Sequence, residues 1–407
     1  MRKIFEALTI RSYAILWAGS LFTFTAFFMS TVVQSIIAFE LTGRNSAVGA
    51  VLLAQGVGSA VFSPFGGAIA DRVSKKFIST LSQLAIAAVF FVTAYLIYQD
   101  QIELYHLSIG AFVTGASFAF LGPARQAWVV ELLPLALRPN AVALTQISLS
   151  AARIWAPALA TLLVASLLFG SAGAYCVMGI LFTVATITLF FLPASIPESS
   201  HKDNSIFGDM IEGIKYVKQH SRLKWMLTLF FIMVILGLSS TTVLPGLLEN
   251  ELNKPVEQLG TLQTVNAVGG LIASLLVASF AGSKKALFIY TLGALLSGIA
   301  LVITGLSPTF IIVLIPMLLL GLGNGAFQTL NGAVIVLEAD PAFYGRVISI
   351  TQLAFSGFML AGLPIGLAAD HWGERNTLMA IGLTLILAVL VLSPLIARGS
   401  RSNIVNN

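Results

Sequence analysis

Charge is what this sequence has least of. Of 407 residues only 10% are Asp, Glu, Lys or Arg, against roughly 25% in an average soluble domain. So few charges cannot cover the surface of a water-soluble protein of this length. The single cysteine, Cys176, lies in an apolar run, which excludes an intrachain disulfide and a cysteine cluster. Acidic residues are missing from the middle of every long apolar stretch; all seventeen fall at stretch ends or in links. Metal-ligand spacings, nucleotide-binding glycine loops and nucleophile constellations are lacking too. The expectation is a protein without metal, cofactor or bond-making chemistry, and not an enzyme.

What remains is apolar. The chain is 57% hydrophobic with a mean hydropathy of +0.94, and stretches of bilayer-spanning length recur throughout. Twelve spans are expected, near 14–39, 47–69, 77–98, 105–130, 141–168, 173–192, 223–246, 258–280, 286–305, 309–336, 347–368 and 376–396. The fold class is therefore an all-α polytopic membrane protein, and its first partner is the lipid bilayer. Met1-Arg2-Lys3 has the look of a signal n-region, but no small-residue cleavage site follows, so the first span reads as retained.

Links are short except for 193–222, which is polar and mixed in charge. It divides the chain into a six-span bundle over 1–192 and a second over 223–407. Ile206, Met210, Ile214 and Val217 recur in it at spacings of three and four, which predicts an amphipathic helix lying against the membrane.

Basic residues mark one side. With the N-terminus inside, seventeen Lys and Arg fall in inside segments and three (Arg44, Lys254, Arg375) in outside segments. That bias places both termini in the cytoplasm and requires an even number of spans. The net charge of +5 is thus a matter of topology, and nucleic acid is not a partner.

The halves echo each other. Glu131 and Pro134 at the end of span 4 recur 207 residues later as Glu338 and Pro341. Pro157 in span 5 recurs as Pro364 in span 11, and LTQI at 144–147 returns as ITQL at 350–353. Weak symmetry between six-span halves is expected where two bundles rock about a central site. Each proline removes a backbone hydrogen bond and bends its span.

Few polar groups remain inside the spans. Arg153 stands thirteen residues beyond Asn140, roughly 20 Å along a helix. A cation at that depth must be paired or face water, so it either contacts an acidic substrate or anchors the structure. Arg125 lies six residues before Glu131 and reaches toward the basic side. Gln34, Gln55, Gln146, Asn266, Gln328, Asn331 and Gln352 are amides that line a polar cavity or tie helices together.

The turn GGAIADRVSKK at 66–76 places Asp71, Arg72, Lys75 and Lys76 between two spans. It resembles the loop 2–3 signature of the major facilitator superfamily. LWAG at 16–19, GPARQAWVVELLP at 122–134, ARIWAPALA at 152–160 and GRVISI at 345–350 resemble the bacterial drug and siderophore exporter branch, which includes macrolide and enterobactin efflux proteins. The resemblance implies a monomeric secondary transporter of the bacterial inner membrane, proton-coupled, exporting amphiphilic small molecules by alternating access. The alternative is an importer or exchanger of a nutrient or anionic metabolite. It also implies a cytoplasmic gate in which Asp71 meets the N-terminus of span 11 and Arg72 and Lys75 meet Glu131, with Glu338 and Arg346 as the second-half counterpart.

Overall fold

Apolar runs this long satisfy their backbone polar groups inside lipid only as helices or closed barrels. The computed structural model describes residues 2–193, 206–280, 283, 285–340 and 343–399, and among these every regular element is helical. Six helices make the first half: α1 Arg11–Thr42, α2 Asn45–Arg72, α3 Lys75–Tyr98, α4 Leu104–Leu132, α5 Arg138–Val164 and α6 Gly170–Phe190. The link helix α7, Ile206–Gln219, is followed by α8, Ser221–Glu251. Then come α9 Leu259–Ala278, α10 Ala286–Leu306, α11 Phe310–Glu338, α12 Tyr344–Trp372 and α13 Glu374–Arg398. Eleven of these have both the length and the apolar character to cross a membrane. Helix α12, with 29 residues, has the length for a twelfth crossing at about 1.5 Å per residue.

Most helices overrun their expected spans by a few residues, since helix geometry continues past the hydrocarbon edge. The sixth and eighth end two residues short, at Phe190 and Ala278, and the fifth falls shortest. Its apolar run extends to residue 168, but the helix stops at Val164, and Gly170, at φ +55°, starts α6. Helix α8 is continuous but irregular. It widens to π geometry over Met233–Leu238 and again over Leu247–Glu251. The Ser239 hydroxyl lies in hydrogen-bond reach of the Ile235 carbonyl at 2.5 Å and the Phe358 carbonyl of α12 at 2.7 Å.

The described residues form two compact units. The first holds Met1–Gly43, Ala50–Lys202 and Val256–Thr264; the second holds Arg44–Gly49, Asp203–Pro255 and Val265–Asn407. Two short segments thus lie on the other side of the division expected from sequence: the start of α2 and the start of α9.

In the first unit α1 packs on α5 and α6, and α3 on α4 and α6. Its centre is aromatic, with Phe90 edge-on to Tyr175 and Phe182 at 5.7 and 5.6 Å. In the second, α10 packs on α11 and α13. There Tyr290 stacks on Phe327 at 4.3 Å and donates to the Met226 carbonyl at 3.1 Å.

Lipid offers no hydrophobic drive for helix pairing, so close backbone approach through small residues does the work. Both units use it in corresponding places. A Cβ on Gly115 of α4 would strike the Gln55 carbonyl of α2, and one on Gly321 of α11 would strike the Asn266 carbonyl of α9.

The link helix forms where its periodicity predicts; of its apolar positions Ile214 is exposed, while the last turn meets protein. Tyr216 and Val217 pack with Leu223, Leu227, Ile335, Val347 and Ile350, and Tyr216 stacks on Phe343 at 4.1 Å. A periodic apolar stripe reports burial and cannot tell a protein surface from a lipid one. The side chains of Ile206 and Met210 lie outside the described residues.

Candidate functional site

Three polar assemblies are candidates for the moving parts. The first stands at the basic end of the first unit. Lys75, buried at the start of α3, pairs with Glu131 at the end of α4 at 3.1 Å. Next to it in sequence, Lys76 donates to the carbonyls of Phe190 and Leu192 at 3.2 and 2.8 Å. A cation suits the partial negative charge at a helix C-terminus, and here it closes α6. The Asp71 and Arg72 side chains, expected to share this gate, lie outside the described residues.

The second assembly is the basic end of the second unit. The sequence pairs Glu338 with Arg346; the structure gives each a partner from elsewhere. Glu338 at the end of α11 takes Arg222 of α8 at 3.2 Å, and Arg346 at the start of α12 takes Glu212 of α7 at 3.1 Å. Arg222 also donates to the Ile396 carbonyl at 3.2 Å, doing for α13 what Lys76 does for α6. In the sequence Arg222 and Glu212 read only as topology and linker, because contact across 116 residues leaves no local signal.

The third assembly has no counterpart among the sequence expectations. At the opposite end of the second unit, Asp370 closes α12 and accepts the backbone N–H groups of Asn45 at 2.7 Å and Ser46 at 3.1 Å. These open α2, so a carboxylate caps the positive end of a helix. Asn45 is buried; its Nδ2 donates to Glu374 at 2.9 Å and its Oδ1 accepts from the Gly246 N–H at 3.1 Å. Asn250 donates to the same Glu374 oxygen at 2.7 Å. Arg375 binds Glu251 at 2.6 Å and the Ser307 carbonyl at 2.7 Å. Gly373, at φ +86°, makes the turn that sets Asp370 and Glu374 side by side, a conformation that favours glycine. One sequence signal points here: Gly-x-x-Ala-Asp occurs at 67–71 and again at 366–370.

The amides expected in a cavity divide. Gln34 and Gln55 are buried in helix packing, whereas Gln146 is exposed on α5. In the second unit Asn266 and Gln328 are half-buried, with Asn266 Nδ2 3.4 Å from the Met317 carbonyl. Asn331 is buried with its Oδ1 lacking a hydrogen-bond partner. The Gln352 side chain lies outside the described residues. Pro157 and Pro364 both sit inside unbroken helices. Around Pro157 the first unit is tight: a Cβ on Gly260 would strike the Pro157 carbonyl, Thr161 donates to the Glu257 carbonyl at 2.7 Å, and Thr264 donates to that of Ile154 at 3.3 Å.

Arg153 is exposed, its guanidinium 5.3 Å from the Phe28 ring centroid. Arg125 is the reverse, with 8% of its surface exposed and no hydrogen-bond partner for Nε, Nη1 or Nη2.

The chain as a whole has counterparts in known proteins. A family model described as Major Facilitator Superfamily matches residues 16–359. The chain belongs to the major facilitator superfamily. This facilitator is 25% identical over 387 residues to macrolide efflux protein A of Streptococcus pyogenes, covering 94% of this chain and 95% of that one. It is 26% identical over 362 residues to the staphyloferrin A transporter of Staphylococcus aureus (strain NCTC 8325 / PS 47), covering 87% and 89%. Among solved structures it is similar to a mutant of the nucleoside transporter NupG, with a TM-score of 0.77 at 14% identity over 94% of this chain and 99% of that one. It is also similar to a bacterial homolog of the human lysosomal transporter Spinster, with a TM-score of 0.74 at 12% identity over 95% and 96%. Those two likenesses establish the fold. The protein is a multi-pass membrane transporter.

Proposed function

We propose that this transporter is a proton-coupled exporter of amphiphilic small molecules, of the drug or siderophore kind, working by alternating access. It acts as a monomer in the bacterial inner membrane with both termini in the cytoplasm. The observation that carries the reading is end-to-end similarity to a macrolide efflux protein, over 94% of this chain. The seventeen-to-three distribution of basic residues supports the orientation. The six-span bundles 1–192 and 223–407, joined by 193–222, are the bodies that alternate.

In this reading the gates are the contacts at helix ends. Lys75 with Glu131, together with Asp71 and Arg72, forms the cytoplasmic gate of the first half; Glu338 and Arg346, with Arg222 and Glu212, form that of the second. Asp370 on the N-terminus of α2 is the corresponding device at the other end. Gln34, Gln55, Gln146, Arg153, Asn266, Gln328, Asn331 and Gln352 form the substrate group, and Pro157 and Pro364 give their helices the bend that switching uses.

One observation favours a second reading, an importer or exchanger of an anionic metabolite: the spans carry cations and no mid-span acid for a proton. Everted vesicles with an imposed proton gradient separate the two. Gradient-driven accumulation of labelled macrolide or siderophore inside everted vesicles supports export. Accumulation only in right-side-out vesicles overturns it.

A further inference from the structure

We infer that the first unit carries an anion site centred on Arg153, so that the transported amphiphile bears a carboxylate or comparable oxyanion. This rests on the transport reading above and narrows its substrate class.

Arg153 lies fifteen residues into α5, about 22 Å from its start at 1.5 Å per residue. Its side chain is exposed at that depth. A guanidinium exposed in mid-span cannot face hydrocarbon without a large desolvation cost. The exposed face of α5 is therefore the wet face along which substrate moves.

That face has the composition of a binding site. Gln146, Ser150 and Arg153 repeat at spacings of four and three, which puts them on one side of the helix. Gln146 is exposed and Ser150 half-buried. Phe28 stands under the guanidinium at 5.3 Å, and Phe24, one turn away on α1, is half-buried like it. The arrangement offers a ring surface for an apolar body and a cation for a charged head. Among the described residues Arg153 has no carboxylate or hydrogen-bond partner. Its planar fork of donors is left for a ligand, and a carboxylate takes two of them at once.

Arg125 makes the charge argument independently. It is buried on α4, seven residues before the end at Leu132, and all three guanidinium nitrogens lack partners. The acids among the described residues of this unit stand near helix ends or outside helices, as Glu40 and Glu131 do. The interior of the first unit is thus positive without compensation. Such a field attracts anions and repels cationic amphiphiles, and repulsion of the wrong ligand is as much a part of selection as attraction of the right one.

The test uses a charge series on one ring: 2-naphthoate, neutral 2-naphthamide and cationic 2-naphthyltrimethylammonium, titrated calorimetrically against the full chain in lipid nanodiscs. Naphthoate should bind at least tenfold tighter than naphthamide, and the ammonium should not bind. Arg153→Ala should remove the preference for naphthoate; Arg153→Lys, which keeps the charge but not the fork, should retain part of it. The inference is overturned if the wild type shows no preference for naphthoate, or if Arg153→Ala keeps the preference with an unchanged melting temperature. Should the alanine variant fail to fold, the wild-type series and the lysine variant still decide. Export stands or falls separately: Arg153-dependent anion binding without gradient-driven movement sinks the export reading alone. Uphill export of cations only sinks the anion site alone.

Discussion

Asp370 and Asn45 are 325 residues apart in sequence, yet the Asp370 carboxylate receives the first backbone N–H of α2 at 2.7 Å. The Ser46 N–H reaches the other oxygen at 3.1 Å. Hydrogen bonds to a charged group contribute about 1.5–3 kcal/mol each, and the exposure of Asp370 places this cap at the lower end. Asp370→Ala should therefore speed amide exchange at Asn45 and Ser46 about tenfold, following the tenfold change per 1.4 kcal/mol. Asp370→Asn, which keeps one acceptor, should fall between. Exchange mass spectrometry reads both, and unchanged protection in the alanine variant would remove the cap from the account.

The Lys75–Glu131 pair should show the asymmetry of a buried cation with a half-exposed partner. Removing the acid while leaving the ammonium in place is costly, and replacing both by apolar groups is less so. Glu131→Gln should lower stability by about 1–3 kcal/mol, more than the double change Lys75→Met with Glu131→Leu. Thermal unfolding in nanodiscs compares the two, and a double variant less stable than the single one would refute this ordering.

Glycine contacts between helices should tolerate nothing larger. A Cβ at Gly115 meets the Gln55 carbonyl and one at Gly321 meets the Asn266 carbonyl, and neither backbone can move aside as a side chain would. Gly115→Val and Gly321→Val should each reduce folded protein severalfold, through overpacking that costs about 1–3 kcal/mol or more. Gly332, whose added Cβ would meet nothing within 4 Å, is the control: Gly332→Ala should express like wild type. Size-exclusion yield measures all three.

Asp71→Asn should slow transport while leaving folded protein nearly unchanged. The proposed role of Asp71 is electrostatic, an anion at the N-terminus of the eleventh span, and asparagine keeps the shape but loses the charge. Transport at the wild-type rate in the vesicle assay would end its role in the gate.

How much of this was legible beforehand depended on how local each signal was. Span lengths, the linker helix over 206–217 and the matching of Glu131 with Glu338 were readable because apolar runs and sequence offsets are properties of the chain itself. The partners that Glu338 and Arg346 take, Arg222 and Glu212, were not read from the sequence. Arg222 stands 116 residues from Glu338, and nothing in spacing joins α8 to the end of α11. The Asp370 cap was missed although Gly-x-x-Ala-Asp stood twice in the sequence. Its partners are backbone N–H groups, which leave no mark on residue identity. Gln34 and Gln146 looked alike as mid-span amides, but one is buried among helices and the other exposed.

The sequence alone determined that this protein lives in a membrane and which helix ends carry positive charge. A bilayer imposes those features residue by residue, through apolar length and the cost of moving charge. Tertiary structure decided which helix ends are tied together: Lys75 to Glu131, Arg222 to Glu338, Asp370 to the start of α2. It also decided that Arg125 is buried without a partner while Arg153 is exposed over Phe28. Such choices depend on helix rotation and on neighbours hundreds of residues away, which hydropathy does not encode.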